Sequence, residues 1–104
     1  MWEQIVRSFT QNPRDVKTIP LYKREALWFF VYAESGEVYV APARTHTPSS
    51  KITTTRKLAV HENECETMLD LYRRRKCGEA VSKEAQAASV NQVYWYGIFA
   101  DLGI

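Results

Sequence analysis

The chain has 104 residues, of which 45% are hydrophobic, 12% aromatic and 25% charged, with a net charge of +2. That length suits a single domain spanning 1–104, and the apolar fraction excludes a wholly disordered chain. Only four glycines are present, none arranged as a phosphate cradle, and the longest apolar run, residues 26–33, is far too short to cross a bilayer. A start of Met1-Trp2-Glu3-Gln4 lacks the basic and apolar segments of a secretion signal, so a cytoplasmic protein without membrane association is expected.

Trp2, Ile5, Val6 and Phe9 recur at helical spacing and predict a short N-terminal helix, ended by Asn12-Pro13 because the residue before proline is driven out of the helical region. Residues 17–24 suggest an edge strand, with Pro20 confining it to that position. The runs 27–33 and 37–42, rich in aromatic and β-branched residues, flank Glu34-Ser35-Gly36 and read as a hairpin.

A two-residue Ser35-Gly36 turn would set Glu34 opposite Glu37. A three-residue loop with Gly36 left-handed pairs Ala33 with Glu37 and avoids that repulsion, so the second register is expected. It puts Trp28, Phe30, Tyr32, Val38 and Val40 on one face, and Leu27, Phe29, Val31, Tyr39 and Ala41 on the other. Both faces are then apolar.

Residues 45–50 read as a polar loop and 52–58 as a second edge strand, its Lys and Arg discouraging further pairing. Residues 62–76 predict a helix with Cys65, Met68, Leu69 and Tyr72 as its buried stripe. Glu62, Glu64 and Glu66 at its start and four cations at its end suit the helix dipole, which accounts for the acids without any catalytic role. Gly78 is a natural stop. Ser82 can cap a following helix, and Ser89, three residues before Gln92, has the spacing of a capping box that opens another helix or marks a kink. Residues 90–99 suit either a strand or a fully buried helix, and the helix is adopted. Cys65 and Cys77 would lie about 18 Å apart along one helix, beyond disulfide reach.

The charge is segregated. Arg44, Lys51, Arg56 and Lys57 form one basic block and Arg73, Arg74, Arg75 and Lys76 another, separated by Glu62, Glu64, Glu66 and Asp70. These eight cations are the candidate anion-binding residues, and a polyanion is implied if the blocks meet in space. His61 and Cys65 stand at i, i+4, but two ligands without a third do not make a zinc site, so neither metal nor cofactor is expected. Arg44-Thr45-His46 with Arg56-Lys57 would suit a nuclease-like site, yet no nucleophile, base and orienter set is visible and the chain reads as non-enzymatic.

The run Ala88-Ser89-Val90-Asn91, followed by Tyr96 and Phe99, resembles the turn and recognition helix of tetracycline-repressor-type proteins. In that family the motif lies near the N-terminus. Here it is C-terminal, and residues 89–104 contain no Lys or Arg to hold phosphates, so these aromatics are assigned to the core.

The expected fold is α+β: an antiparallel sheet of three or four strands centred on the hairpin 27–41, a short N-terminal helix and a C-terminal helical pair. Helices 62–76 and 82–100 should cover one sheet face and the N-terminal helix part of the other. The leading functional reading is a binding module that self-associates, as a dimer in the first instance, through aromatic sheet surface carrying Phe29, Val31 and Tyr39, and that binds a protein or a small apolar ligand. The alternative is a nucleic-acid-binding module using segments 44–57 and 73–76; a small hydrolase built on His46 or His61 comes third.

Overall fold

The computed structural model describes residues 1–20 and 24–104. In chain order these form α1 (Trp2–Gln11), β1 (Arg14–Lys17), β2 (Trp28–Glu34), β3 (Glu37–Pro42), β4 (Arg56–Lys57), α2 (Glu64–Lys76), α3 (Ser82–Ala88) and α4 (Gln92–Asp101). The strands make one antiparallel sheet in the order β1-β2-β3-β4. The architecture is α+β.

The hairpin uses the register that charge repulsion argued against. Glu34 pairs with Glu37, Ala33 with Val38, Tyr32 with Tyr39 and Val31 with Val40. Ser35 and Gly36 both have positive φ, 52° and 79°, which is the twist a two-residue hairpin turn requires. Burial decides between the registers. Here Val38 and Val40 join Phe29 and Val31 on one face, and all four are fully buried. The three-residue loop would have put Tyr39 there instead, and an unpaired buried hydroxyl costs about 1–3 kcal/mol. Two opposed carboxylates at a wet hairpin tip cost a few tenths of that. The face assignment read from the sequence is corrected accordingly.

Other boundaries move as well. The first strand is Arg14–Lys17 rather than 17–24; residues 21–23 of that expected strand lie outside the described residues. Thr18 extends the pairing by one step, its N–H donating to the Leu27 carbonyl at 2.8 Å while its hydroxyl accepts from the Leu27 N–H at 3.0 Å. The expected strand 52–58 shrinks to two residues: Ile52 and Leu58 are buried, but Thr53, Thr54 and Thr55 between them are exposed and have no inward face to pack. Helix α2 starts two residues late because Asn63 is left-handed, φ 62°. The segment 82–100 is two helices. Ser89 does not form a capping box with Gln92; its hydroxyl accepts the Asn91 N–H at 2.9 Å and donates to Glu64.

All four helices belong to one side of the sheet. Ile5 and Phe9 of α1 enter the same core as Phe29, Val31, Val38 and Val40, and Trp2 meets Trp95 of α4 at 6.0 Å between ring centroids. The expectation that α1 would cover the opposite face is therefore wrong: its stripe is complementary to the β2–β3 valines. Helices α1 and α4 lie on the sheet, and α2 and α3 pack against α4. Tyr96 and Phe99 are buried in this core, as assigned.

One polar centre ties the helical layer together. Glu64, only 3% exposed, accepts from the Trp95 indole N–H at 2.7 Å, the Ser89 hydroxyl at 2.8 Å and the backbone N–H groups of His61 and Val60 at 3.1 and 3.2 Å. It does more than complement a dipole. Four donors and the helix N-terminus take the place of a counter-ion, as a buried carboxylate requires. Nearby, the Asn91 amide donates to the Lys57 and Leu58 carbonyls at 3.0 and 2.9 Å, fastening the start of α4 to the end of β4.

Gly97 sets how closely α4 approaches the sheet. A Cβ at this position would lie 2.5 Å from the Lys17 carbonyl oxygen and 3.0 Å from the Phe29 ring. Glycine to alanine within a helix normally stabilises by about 1 kcal/mol. Here Gly97→Ala is expected to lower stability by about 1–3 kcal/mol, because the helix must back away from the β1 backbone. Urea denaturation read by circular dichroism measures the sign.

Candidate functional site

The residues nominated from the sequence are dispersed. Phe29 and Val31 are fully buried, so they cannot contact a partner: the helices cover the β2 face that they share with Val38 and Val40. Tyr39 is on the outer face and half-buried, stacked on Tyr32 at 5.1 Å between centroids. That outer face carries Trp28, Phe30, Tyr32, Tyr39 and Ala41, and the chain itself supplies part of its cover. His46 stacks on Trp28 at 3.9 Å, Lys17 Nζ lies 5.5 Å from the Trp28 ring, and the Arg44 guanidinium sits 4.0 Å from the centre of the Phe30 ring.

Asp15 organises this cover. It pairs with Phe30 across β1 and β2, so its carboxylate stands on the outer face. It accepts the backbone N–H groups of Arg44, Thr45 and His46 at 2.9, 2.8 and 3.0 Å, the Thr45 hydroxyl at 3.0 Å and His46 Nδ1 at 2.9 Å. Burial alone would raise its pKa. The backbone N–H groups of Arg44 and Thr45, then His46 and the Thr45 hydroxyl, outweigh that and hold it well below the usual carboxylate range. His46 Nδ1 lies within hydrogen-bond distance of both Asp15 and the Thr45 hydroxyl, which fixes the orientation of the ring. Its other ring nitrogen has no hydrogen bond among the described residues, and the Thr45 hydroxyl, 2.9 Å from Nδ1, is itself bonded to Asp15. The arrangement is a loop anchor. His61 is exposed and Cys65 is buried, although both border a cavity at the start of α2; burial pushes the Cys65 thiol up to about 11.

The two basic blocks also separate. In the first, Arg44 covers Phe30, Arg56 lies 5.5 Å from the Tyr94 ring, and Lys57 pairs with Tyr39. In the second, Arg74 is held by Asp70, Glu79 and Glu84 at 3.5, 2.7 and 2.8 Å. Lys76 donates to the Ile104 carbonyl at 3.1 Å, and Arg73 is exposed. Only Lys51 and Arg75 line a common surface.

That surface is a cleft of about 760 Å³ between the helical layer and the segments leaving β1, preceding β2 and preceding β4. Its apolar wall includes Ile19, Leu27, Val81, Val93, Tyr94 and Tyr96. Ile19 is 41% and Val93 47% exposed, two aliphatic side chains open to solvent on one concave surface. Ser50 and Tyr96 also line it, and their hydroxyl oxygens are buried without a hydrogen-bond partner. Such atoms are rare enough to require an explanation. Sequence reading missed the cleft because its walls come from five separated segments. The one usable signal was the polar-tipped aromatics Tyr94 and Tyr96 in an otherwise apolar helix.

Because Asp15 titrates lower in the folded chain than the 3.8 of a free carboxylate, its contribution to stability is complete above that value and fades as pH falls below it. Asp15→Asn is expected to cost about 1–3 kcal/mol at neutral pH and to flatten the loss of stability below pH ~4; thermal melts across pH 2–7 compare the two proteins. No protein-family model, curated protein or solved structure matches this chain, so its function is argued from this geometry alone.

Proposed function

We propose that the protein is a non-enzymatic binding module that takes a small apolar ligand in the cleft between Ile19, Val93 and Tyr96. The observation that carries this reading is a single concavity of about 760 Å³ in which Ile19 and Val93 stand exposed beside Tyr94 and Tyr96. Apolar walls with a few convergent polar groups are the usual make-up of a small-molecule site.

Self-association is a second reading, favoured by the absence of any described helix from the outer sheet face, where Trp28, Tyr32 and Tyr39 remain half-buried. It loses Phe29 and Val31 as contacts, and sedimentation at micromolar concentration decides it. Nucleic-acid binding is less well supported. The basic blocks meet only at Lys51 and Arg75, and several outer aromatic rings already have a stacking or cationic neighbour.

A neutral apolar fluorophore, phenylnaphthylamine, should bind with enhanced emission. Val93→Trp, which fills the cleft from a position that is already exposed, should weaken that binding by about tenfold or more, the effect of losing a buried contact worth about 1.4 kcal/mol. Equal binding to both proteins would refute the cleft as the site.

A further inference from the structure

Resting on the cleft reading, we infer that its ligand is an amphipathic anion, an apolar body bearing one acidic group that Arg75 and Lys51 hold at the cleft wall. The inference comes from how the chain spends its cations. Arg14 is paired with Asp101, and Arg74 with three carboxylates. Like most of the described cations, Arg75 and Lys51 form no salt bridge; what sets them apart from the rest of the two basic blocks is that they come from distant segments and line the same cleft.

Arg75 is nevertheless held in place. Its guanidinium lies 4.7 Å from the centre of the Tyr96 ring, and Nη2 donates to the Ile19 carbonyl at 2.8 Å. A guanidinium fixed by stacking and one neutral acceptor keeps further donors for a planar oxyanion, at little entropic cost. The lining carboxylates do not cancel this charge. Glu79 is bonded to Arg74, which leaves Glu25 against Arg24, Lys51 and Arg75.

The unpartnered hydroxyl oxygens of Ser50 and Tyr96 lie beneath the cleft surface rather than on it. Burial raises the Tyr96 pKa above its ordinary value, further than the facing Arg75 lowers it, so the hydroxyl stays protonated at neutral pH. Two cations beside an aliphatic and aromatic wall select a carboxylate, sulfonate or phosphate ester joined to an apolar body over a cationic ligand.

Two probes that share one ring system and differ in a single sulfonate test this: phenylnaphthylamine and anilinonaphthalene sulfonate. The anionic probe should bind the full chain at least about tenfold more tightly, the worth of one charge-assisted hydrogen bond. Arg75→Gln and Lys51→Gln should each remove most of that preference while leaving the neutral probe nearly unchanged. Lys51 is exposed, so its substitution keeps the test valid if the Arg75 variant unfolds. Val93→Trp should weaken both probes. Equal affinity for the two probes, or a preference that survives both charge substitutions, overturns the anion and leaves the apolar cleft standing. Failure of both probes to bind, or binding indifferent to Val93→Trp, overturns the cleft as well.

Discussion

The position of α4 depends on one missing atom. With no Cβ at Gly97, a helix can lie directly against the backbone of β1, and its neighbours then take fixed stations. Trp95 reaches the buried carboxylate of Glu64, Tyr94 meets Phe29 at 4.8 Å between centroids, and Tyr96 comes under Arg75. A helix held further off would loosen the Glu64 centre and open the cleft at once, because both are built from consecutive residues of a single turn. Core packing and the candidate site are therefore one constraint, with the polar knot on one flank of the helix and the cleft on the other.

A second principle is asymmetry. The sheet carries its helices on one side, and the chain dresses the other side with a loop rather than an element. Asp15 is central to that arrangement: a single carboxylate collects successive amides from residues 44–46 and lays His46 and Arg44 across Trp28 and Phe30. Aromatic side chains that looked in need of a companion molecule are partly covered by cations and by one another.

Much of the fold was legible in the sequence, for identifiable reasons. The helical spacing of Trp2, Ile5 and Phe9, the hairpin around Gly36 and the charge-matched helix 64–76 are local patterns that tertiary structure had no cause to override. What could not be read was long-range. The hairpin register turned on which side chains the helices would bury, a quantity larger than the Glu34–Glu37 repulsion visible in the local sequence. Glu64 resembled its exposed neighbours Glu62 and Glu66 until Trp95 and Ser89 were brought to it from more than twenty positions away. The cleft was invisible for the same reason, and Phe29 and Val31 were chosen as contacts because nothing local says which face of β2 the helices will cover.

The brevity of β4 has a consequence for how the molecule behaves in a crowd. A free strand edge is a template on which a second chain can add its own backbone, and long flat edges lead to fibrils. This sheet ends, on that side, in two residues, and both are cationic: Arg56 and Lys57. An incoming strand would find almost no ladder to extend and a positive charge at each rung, so β4 closes the sheet against stacking with its own kind.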